Sequence, residues 1–440
     1  MKGHDPQKIS VFWFRRDLRL ADNHGLAVAL ESGRPVIPLF IFDDHILSLL
    51  EKRDARVEFI RLRLEKLHAE LRGYGSGLHV FRGKPEDVWK QLFKTWKIES
   101  VFCNEDYEPQ AIARDLGIAA LAKANGAEFH SFKDQVVFAK NEVTKDSGDP
   151  YRVFTPYSRR WKAELRPEQL APHGSSEAFG QLSKSGGTGV PSLAELGFEA
   201  TGLQFSDMTL SKTKLREYAD RRNLLAEAGT SRFGLHLRFG TVSARRLTAV
   251  AREFSETFLN ELIWREFFQQ ILFHFPKTVS EPFDARYAGI RWRESDGDFE
   301  RWCAGRTGFP VVDAGMRELQ QTGFMHNRAR MITASFLCKH LLIDWRRGER
   351  HFAKLLLDFD LSANVGNWQW VAGCGCDAAP YFRVFNPALQ AKKFDPEGNY
   401  VRHWVPEFGT KDYPEPMVDH EMARRRALLA YQAGLKGGGK

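Results

Sequence analysis

The chain has 440 residues, with 64 Lys and Arg against 56 Asp and Glu and a formal net charge of +8 at pH 7. That length holds two to four domains at about 100–200 residues each, and 43% hydrophobic with 27% charged residues excludes a mainly disordered or collagen-like chain. No apolar run approaches the roughly 18–20 residues of a membrane helix, and five cysteines are too few for a disulfide scaffold, so a reducing cytosol is expected.

The opening Met1-Lys2-Gly3-His4-Asp5-Pro6 has no apolar core behind its charge and does not read as a secretory signal. Short β-branched or aromatic runs at 10–14, 36–42, 78–81, 100–104 and 128–132 predict buried strands. Helical stretches fall between them. The clearest is 56–71, where Val57, Ile60, Leu64, Leu67 and Leu71 are spaced by three and four and Asp54 is placed to cap. Such alternation implies a parallel, Rossmann-like sheet with helices on both faces, ligands sitting beyond the carboxyl ends of the strands. No GxGxxG or GxxxxGKS/T follows a strand, so the usual dinucleotide and P-loop readings lack support.

From 166 to 206 the pattern dissolves into turn residues, Gly186-Gly187-Thr188-Gly189 among them. Beyond about 210, helices are predicted at 211–227, 241–254, 256–275, 310–322, 325–343 and 348–357. The expected organisation is an α/β domain over 1–135, a connector over 136–207 and an all-α domain over 208–440.

Polar residues inside the apolar helices carry the chemical information. Glu261, Trp264 and Arg265 share one helix face by their i, i+3, i+4 spacing; alone, they also fit a surface ion pair beside a core Trp. Asn327, Arg330 and Met331 share another face, with Arg328 one step round. That set suits an anion or a planar heterocycle, and equally a solvated basic turn. Asp358 and Asp360 can accept from ribose hydroxyls or pair with Arg330, and Asn364 can both donate and accept. On a helix Trp368 and Trp370 point roughly 200° apart, so one can face a ligand while the other enters the protein; two core tryptophans are the alternative. Thr230 and Ser231 follow Gly229 and open a helix, an arrangement suited to phosphate. Cys374-Gly375-Cys376 lacks a second pair for a four-ligand zinc site and reads as structural, and no metal is expected. Arg424-Arg425-Arg426 and the Gly437–Lys440 tail read as solvated and basic.

Together these segments resemble the DNA photolyase/cryptochrome family. They are joined by Val11-Phe12-Trp13-Phe14-Arg15-Arg16-Asp17-Leu18-Arg19-Leu20 with Asp22-Asn23, by Asn104-Glu105-Asp106-Tyr107-Glu108-Pro109 and by Val153-Phe154-Thr155-Pro156-Tyr157. The resemblance covers nearly the whole chain and is strongest to bacterial enzymes acting on cyclobutane pyrimidine dimers. It implies an α/β antenna domain and a helical domain enclosing FAD, active as the reduced anion FADH−. The implied activity is that of a light-driven carbon–carbon lyase. Excited FADH− donates an electron to a dimer flipped out of the duplex, the ring splits, and the electron returns.

By position, the resemblance assigns flavin contacts to Tyr218, Thr230, Ser231, Gly234, Leu235, Arg265, Asn327, Arg330, Asp358, Asp360 and Asn364. Asn364 faces flavin N5, an Asn as in photolyases where plant cryptochromes have Asp. A catalytic Glu261 joins Trp264, Asn327, Arg328, Met331 and Trp370 in the lesion pocket, and Arg383 holds the phosphate backbone. Trp292, Trp345 and Trp368 form the chain that carries electrons to the flavin. In this picture Trp264 and Trp370 pack on a flat dimer while Asn327 and a buried Glu261 read its polar edges. The implied partner is UV-damaged DNA, single- or double-stranded, bound by a monomeric, cytoplasmic and nucleoid-associated enzyme with no membrane. The stretch before Tyr218 is shorter and poorer in Gly than the family's usual approach to the adenine side. A second antenna chromophore near Asp43-Asp44-His45 and Glu105–Glu108 is left without an identity: folate, deazaflavin and a second flavin are equally open. The alternatives are a blue-light cryptochrome receptor, against which Asn364, Trp264 and Trp370 speak, and a six-four photolyase, against which the lone His326 before Asn327-Arg328 speaks.

Overall fold

A computed structural model describes residues 8–174 and 176–437; Met1–Gln7, Ser175 and the last three residues of the basic tail lie outside the described residues. The chain divides into two compact units. One is built from the chain up to Ala139 with 164–208 and 233–250, the other from 140–163, 209–232 and 251 onward.

The first unit is a five-stranded parallel sheet: β1 (Ile9–Phe14), β2 (Val36–Asp43), β3 (His79–Gly83), β4 (Ile98–Asn104) and β5 (Glu128–Phe132), in the order β3-β2-β1-β4-β5. Every residue of β1 is buried, as a central strand covered on both faces must be. The helices α1 (His24–Glu31), α2 (Ala55–Gly73), α3 (Pro85–Thr95) and α4 (Pro109–Ala124) alternate with the strands. Asp54 caps α2 by accepting from Arg56 N at 2.9 Å, and Val57, Leu64, Leu67 and Leu71 are its buried stripe.

Strand order reverses at β1, which creates a crevice at the carboxyl ends of β1 and β4. The chain's own side chains fill it. Asn104 donates to Asp17 at 2.6 Å and to Asn23 at 2.8 Å and accepts from Gly25 N at 2.9 Å. Burial pushes the Asp17 carboxyl up to about 6. The neighbouring acids are engaged as well: Arg16 bridges Asp106 and Glu108, Arg82 pairs with Asp44, and His45 meets Glu86 at 3.1 Å.

In the second unit the helices that build its core are α5 (Phe154–Glu164), α6 (Glu256–His274), α7 (Pro310–Thr322), α8 (Asn327–Ser335), α9 (Trp345–Leu355), α10 (Leu361–Ala372) and α11 (His420–Gly437). The helix expected at 241–254 spans Ala244–Phe254. Three expectations change in detail. The 211–227 helix is two short ones, Lys212–Arg216 and Tyr218–Arg221, because Leu225 N leaves the helical ladder to bond Phe394 O at 2.8 Å. The 325–343 helix stops at Ser335 and continues as a π turn, Phe336–His340, whose five consecutive residues are all buried. The 348–357 helix starts earlier, at Trp345, where Asp344 caps it through Arg346 N.

Two glycines let α10 lie unusually close to its neighbours. A Cβ on Gly366 would fall 2.2 Å from the Phe268 ring of α6, and one on Gly348 of α9 would fall 2.1 Å from Trp368 Cη2. The core around them contains Trp302, Phe336, Trp345, Phe352 and Trp368. In the first unit, 166–206 is irregular apart from short 3-10 turns at Pro167–Leu170 and Ser176–Gln181.

Candidate active site

The start of α8 is fixed by His326. Its Nδ1 accepts from Arg328 N at 3.1 Å, which requires a neutral ring. Burial and the guanidiniums of Arg330 and Arg328 supply that neutrality by pulling the imidazole down to about 4. Below it, Glu318 accepts from His326 N at 3.0 Å and from the Tyr400 hydroxyl at 2.7 Å. Asn327, Arg328, Arg330 and Met331 are thereby aimed from a rigid helix end.

Beside this helix end lies a cavity open to solvent and lined by Asn327, Arg330, Met331, Asp358, Asp360, Asn364, Asn367, Trp368 and apolar neighbours. Arg330 donates to Asp358 Oδ2 at 2.9 Å and to Met325 O at 2.8 Å, so the Arg330–Asp358 pairing read from sequence is formed. Asp358 Oδ1 is buried and has no hydrogen-bond partner. Asp360 caps α10, accepting from Ala363 N at 3.2 Å and from the Ser362 hydroxyl. Asn364 Nδ2 donates to Glu349 Oε1 at 2.9 Å and to Glu349 O at 3.2 Å. Burial pushes the Glu349 carboxyl up. With its amide hydrogens directed to Glu349, Asn364 keeps its carbonyl oxygen for the cavity.

A second cluster gathers on α6. Glu261 is not buried as expected: its side chain is 33% exposed and ion-paired with Arg222. Arg328 donates to Asn223 Oδ1 at 2.7 Å and covers the Phe394 ring at 4.4 Å. Burial, Arg222 and Arg383 pull its guanidinium down while Glu261 opposes them, so three cations and one carboxylate share this face. Trp264 stacks on Phe154 with ring centroids 3.7 Å apart and planes 5° from parallel, and Phe268 lies 5.4 Å away. Tyr218 packs edge-on against Phe258 at 5.2 Å under the Arg222 guanidinium; burial, with Glu261 nearby, pushes its hydroxyl up to about 12.

Trp368 lines the cavity and Trp370 does not, as their angular separation requires. Trp345 and Trp368 are 1% and 2% exposed, whereas Trp292 is half-buried and meets Tyr431 perpendicularly at 5.9 Å. Thr230, Ser231 and Arg265 are half-buried and are not among the cavity's lining residues. Gly234 and Leu235 begin a short helix, Gly234–Arg238, assigned to the first unit. Arg383 is exposed. Cys374 and Cys376 are free and buried, and among the described residues no cluster of three or more His, Cys, Asp or Glu is placed to hold a metal.

Residues 258–411 match a family model described as the FAD binding domain of DNA photolyase, and residues 10–174 match one described as DNA photolyase. The chain is 36% identical to the deoxyribodipyrimidine photo-lyase of Synechococcus sp., over 96% of each sequence. The chain belongs to the DNA photolyase family. Among solved structures it is similar to a bacterial class III photolyase from Agrobacterium tumefaciens, with 34% identity, a TM-score of 0.87 and 99% of both chains covered. It is also similar to a cryptochrome from Synechocystis sp., at 25% identity and a TM-score of 0.85 over 97% of this chain and 100% of that one. Both photolyase-family halves are therefore present, the parallel sheet and the helical FAD-binding domain.

The cavity fits the photolyase cofactor. The orphaned Asp358 Oδ1 is an acceptor for a hydroxyl, Arg330 is a cation for an anionic group, and Asn364 offers a carbonyl oxygen. Three residues that shape this photolyase site escaped the sequence reading. Glu349 carried a signal, since it shares the buried face of α9 with Trp345, Gly348 and Phe352 and is the only carboxylate of that helix. Arg222 lies within the helix expected over 211–227 but just past the end of the observed one, Tyr218–Arg221, and Phe154 contributes by stacking alone, so neither had one.

Proposed function

We propose that the chain is a deoxyribodipyrimidine photo-lyase that binds UV-damaged DNA and splits cyclobutane pyrimidine dimers under blue light. The observation that carries this reading is the single cavity that joins the Arg330–Asp358 ion pair to the Glu349-oriented Asn364 amide. FAD held there as its reduced anion would supply photoinduced electron-transfer chemistry for splitting the dimer with no net redox change. The protein's residues do the rest by position. Asn364 accepts from flavin N5–H through Oδ1, held by Glu349. Arg330 and Asp358 hold charge and hydroxyls, and Asp360, Tyr218, Thr230, Ser231, Arg265 and Asn327 complete the flavin contacts. Met331 walls the lesion side. Trp264 and Trp370 pack on the dimer while Asn327 and Glu261 read its edges, and Arg328 and Arg383 engage the phosphates, which makes binding salt-dependent. Trp368, Trp345 and Trp292 carry electrons inward. The enzyme acts as a monomer on single- or double-stranded DNA in the cytoplasm; no described helix is long and apolar enough to cross a membrane.

The decisive experiment mixes reduced protein with UV-irradiated oligothymidine under blue light. Recovery of base absorbance is expected, and its absence, with flavin bound, would favour the photoreceptor reading that the cryptochrome fold likeness permits. Two variants test the assignments. Trp264→Ala is expected to weaken binding of dimer-containing DNA about tenfold relative to undamaged DNA, as the loss of one stacking contact predicts; an unchanged ratio in competition binding removes Trp264 from the pocket. Trp345→Phe is expected to slow photoreduction of oxidised flavin while pre-reduced enzyme repairs at the normal rate, and equal loss of both rejects the electron-chain role.

A further inference from the structure

Lys339 is a buried cation that the repair chemistry above leaves unused. It is 1% exposed and sits in the π turn Phe336–His340. Its Nζ donates to Ala372 O at 3.0 Å and to Tyr381 O at 3.2 Å, and lies 3.7 Å from the centroid of the Tyr431 ring. Cys338 and Cys374, and no carboxylate among the described residues, act on its charge, and burial pulls its ammonium down to about 8. An unpaired buried cation is costly unless its donors are satisfied, and here they are satisfied by three separate segments. Ala372 ends α10, Tyr381 lies in the 377–386 loop, and Tyr431 belongs to α11 and donates its hydroxyl to the same Ala372 O at 2.7 Å.

The location is electrostatically apt. Ala372 O is among the last carbonyls of α10, where the helix ladder leaves acceptors open and the macrodipole is negative. Gly373 then turns the chain away in the left-handed region, with φ +85°. The loop that follows makes backbone hydrogen bonds within itself, Arg383 N to Pro380 O and Val384 N to Phe382 O. Phe382 at its tip is 61% exposed. The ammonium links this loop's backbone to the end of the helix beneath it, while the Tyr381 ring stacks on Tyr431 at 5.9 Å and Asp377 accepts from Phe154 N at 3.1 Å.

We propose that Lys339 is a positioning residue for lesion binding: it ties the loop that carries Arg383 to the end of the helix that carries Trp370, so that both meet DNA as one rigid surface. The proposal rests on the photo-lyase reading, and its test has a readout that does not. In Lys339→Met, a near-isosteric apolar variant, the KM for dimer-containing oligothymidine is expected to rise about tenfold. The kcat at saturating DNA and the flavin content are expected to stay within twofold, and amide hydrogen exchange across 377–386 to accelerate at least tenfold. Lys339→Gln, which keeps a donor, is expected to recover about half of the KM change on a logarithmic scale. An unchanged KM, or a fall of kcat and flavin content in step with it, overturns the proposal. If the unaltered protein repairs nothing, the functional reading fails by itself; exchange in 377–386 that stays slow in Lys339→Met then also overturns the tie. Should Lys339→Met not fold, Lys339→Gln is measured in the same way, and wild-type KM and exchange in it overturn the proposal.

Discussion

Replacing Gly348 by alanine is expected to lower the melting temperature by about 5 °C or more and to leave the purified protein poor in flavin. Helix propensity alone predicts the opposite, since alanine is favoured over glycine inside a helix by about 1 kcal/mol. Packing reverses the sign. The new methyl would stand 2.1 Å from Trp368 Cη2 and 2.5 Å from Leu337 Cδ2. The Trp368 ring cannot swing clear, because Phe352 holds it at 4.9 Å and Trp302 at 6.2 Å between ring centroids. Its open side is the cavity it shares with Asn364 and Arg330, so relief comes only by intruding there. Overpacking of this kind costs about 1–3 kcal/mol and more where rings must move, which outweighs propensity and lowers the melting temperature by about 2–4 °C per kcal/mol. Gly117 of α4 is the control: a Cβ there meets nothing within 4 Å, so Gly117→Ala should stabilise slightly. Thermal melts and flavin absorbance of the two variants decide the matter. Wild-type stability and flavin content in Gly348→Ala would refute the packing argument.

The same glycines show where sequence reading stops. The five strands were legible because a parallel sheet buried on both faces demands unbroken apolar runs, and Val11 to Phe14 or Val36 to Phe42 have no other use. The α2 stripe was legible for the matching reason, a period of three and four with a capping Asp54. Gly348 and Gly366 look like ordinary helix weak points until the rings of Trp368 and Phe268 are placed over them. Arg330 with Asp358 was readable, since a cation on an apolar helix and an acid in the turn before α10 had few other partners. Glu261 was misjudged because its partner, Arg222, falls in a segment that reads as one helix over 211–227, whereas the chain leaves the helix after Arg221. The π turn at Phe336–His340, Phe-Leu-Cys-Lys-His, was invisible, because a segment buried all round carries no periodicity that tells a regular wind from an expanded one. What periodicity encodes is which face is buried; which side chain from a distant segment meets that face is settled by tertiary packing.

Acidification from pH 7.5 to pH 5 is expected to destabilise the helical unit, three buried histidines together contributing about 6 kcal/mol before opposing groups are counted, which is comparable with the whole stability of many domains. Burial and neighbouring cations pull His326 and His351 down to about 4, and burial with His420 and Arg426 nearby pulls His340 down to about 3, from an ordinary 6.5. All three are therefore neutral in the folded protein at pH 5 while their unfolded counterparts are mostly charged. Stability is complete above the unfolded value of about 6.5 and is lost as the pH falls toward the folded values, at about 2 kcal/mol per histidine by pH 5. The buried carboxyls Asp313, Glu318 and Glu349, which burial pushes up, act in the opposite sense but are displaced less, so the histidines win. Each loss has a structural locus. Protonating His326 destroys the acceptor that caps α8, and protonating His340 disturbs its 2.8 Å contact with His420 at the start of α11. His326→Asn, whose side chain can cap without titrating in this range, should flatten the slope of melting temperature against pH by roughly a third, and His351→Gln by a similar fraction. Parallel slopes in wild type and both variants between pH 7.5 and 5 would show that acid sensitivity arises elsewhere.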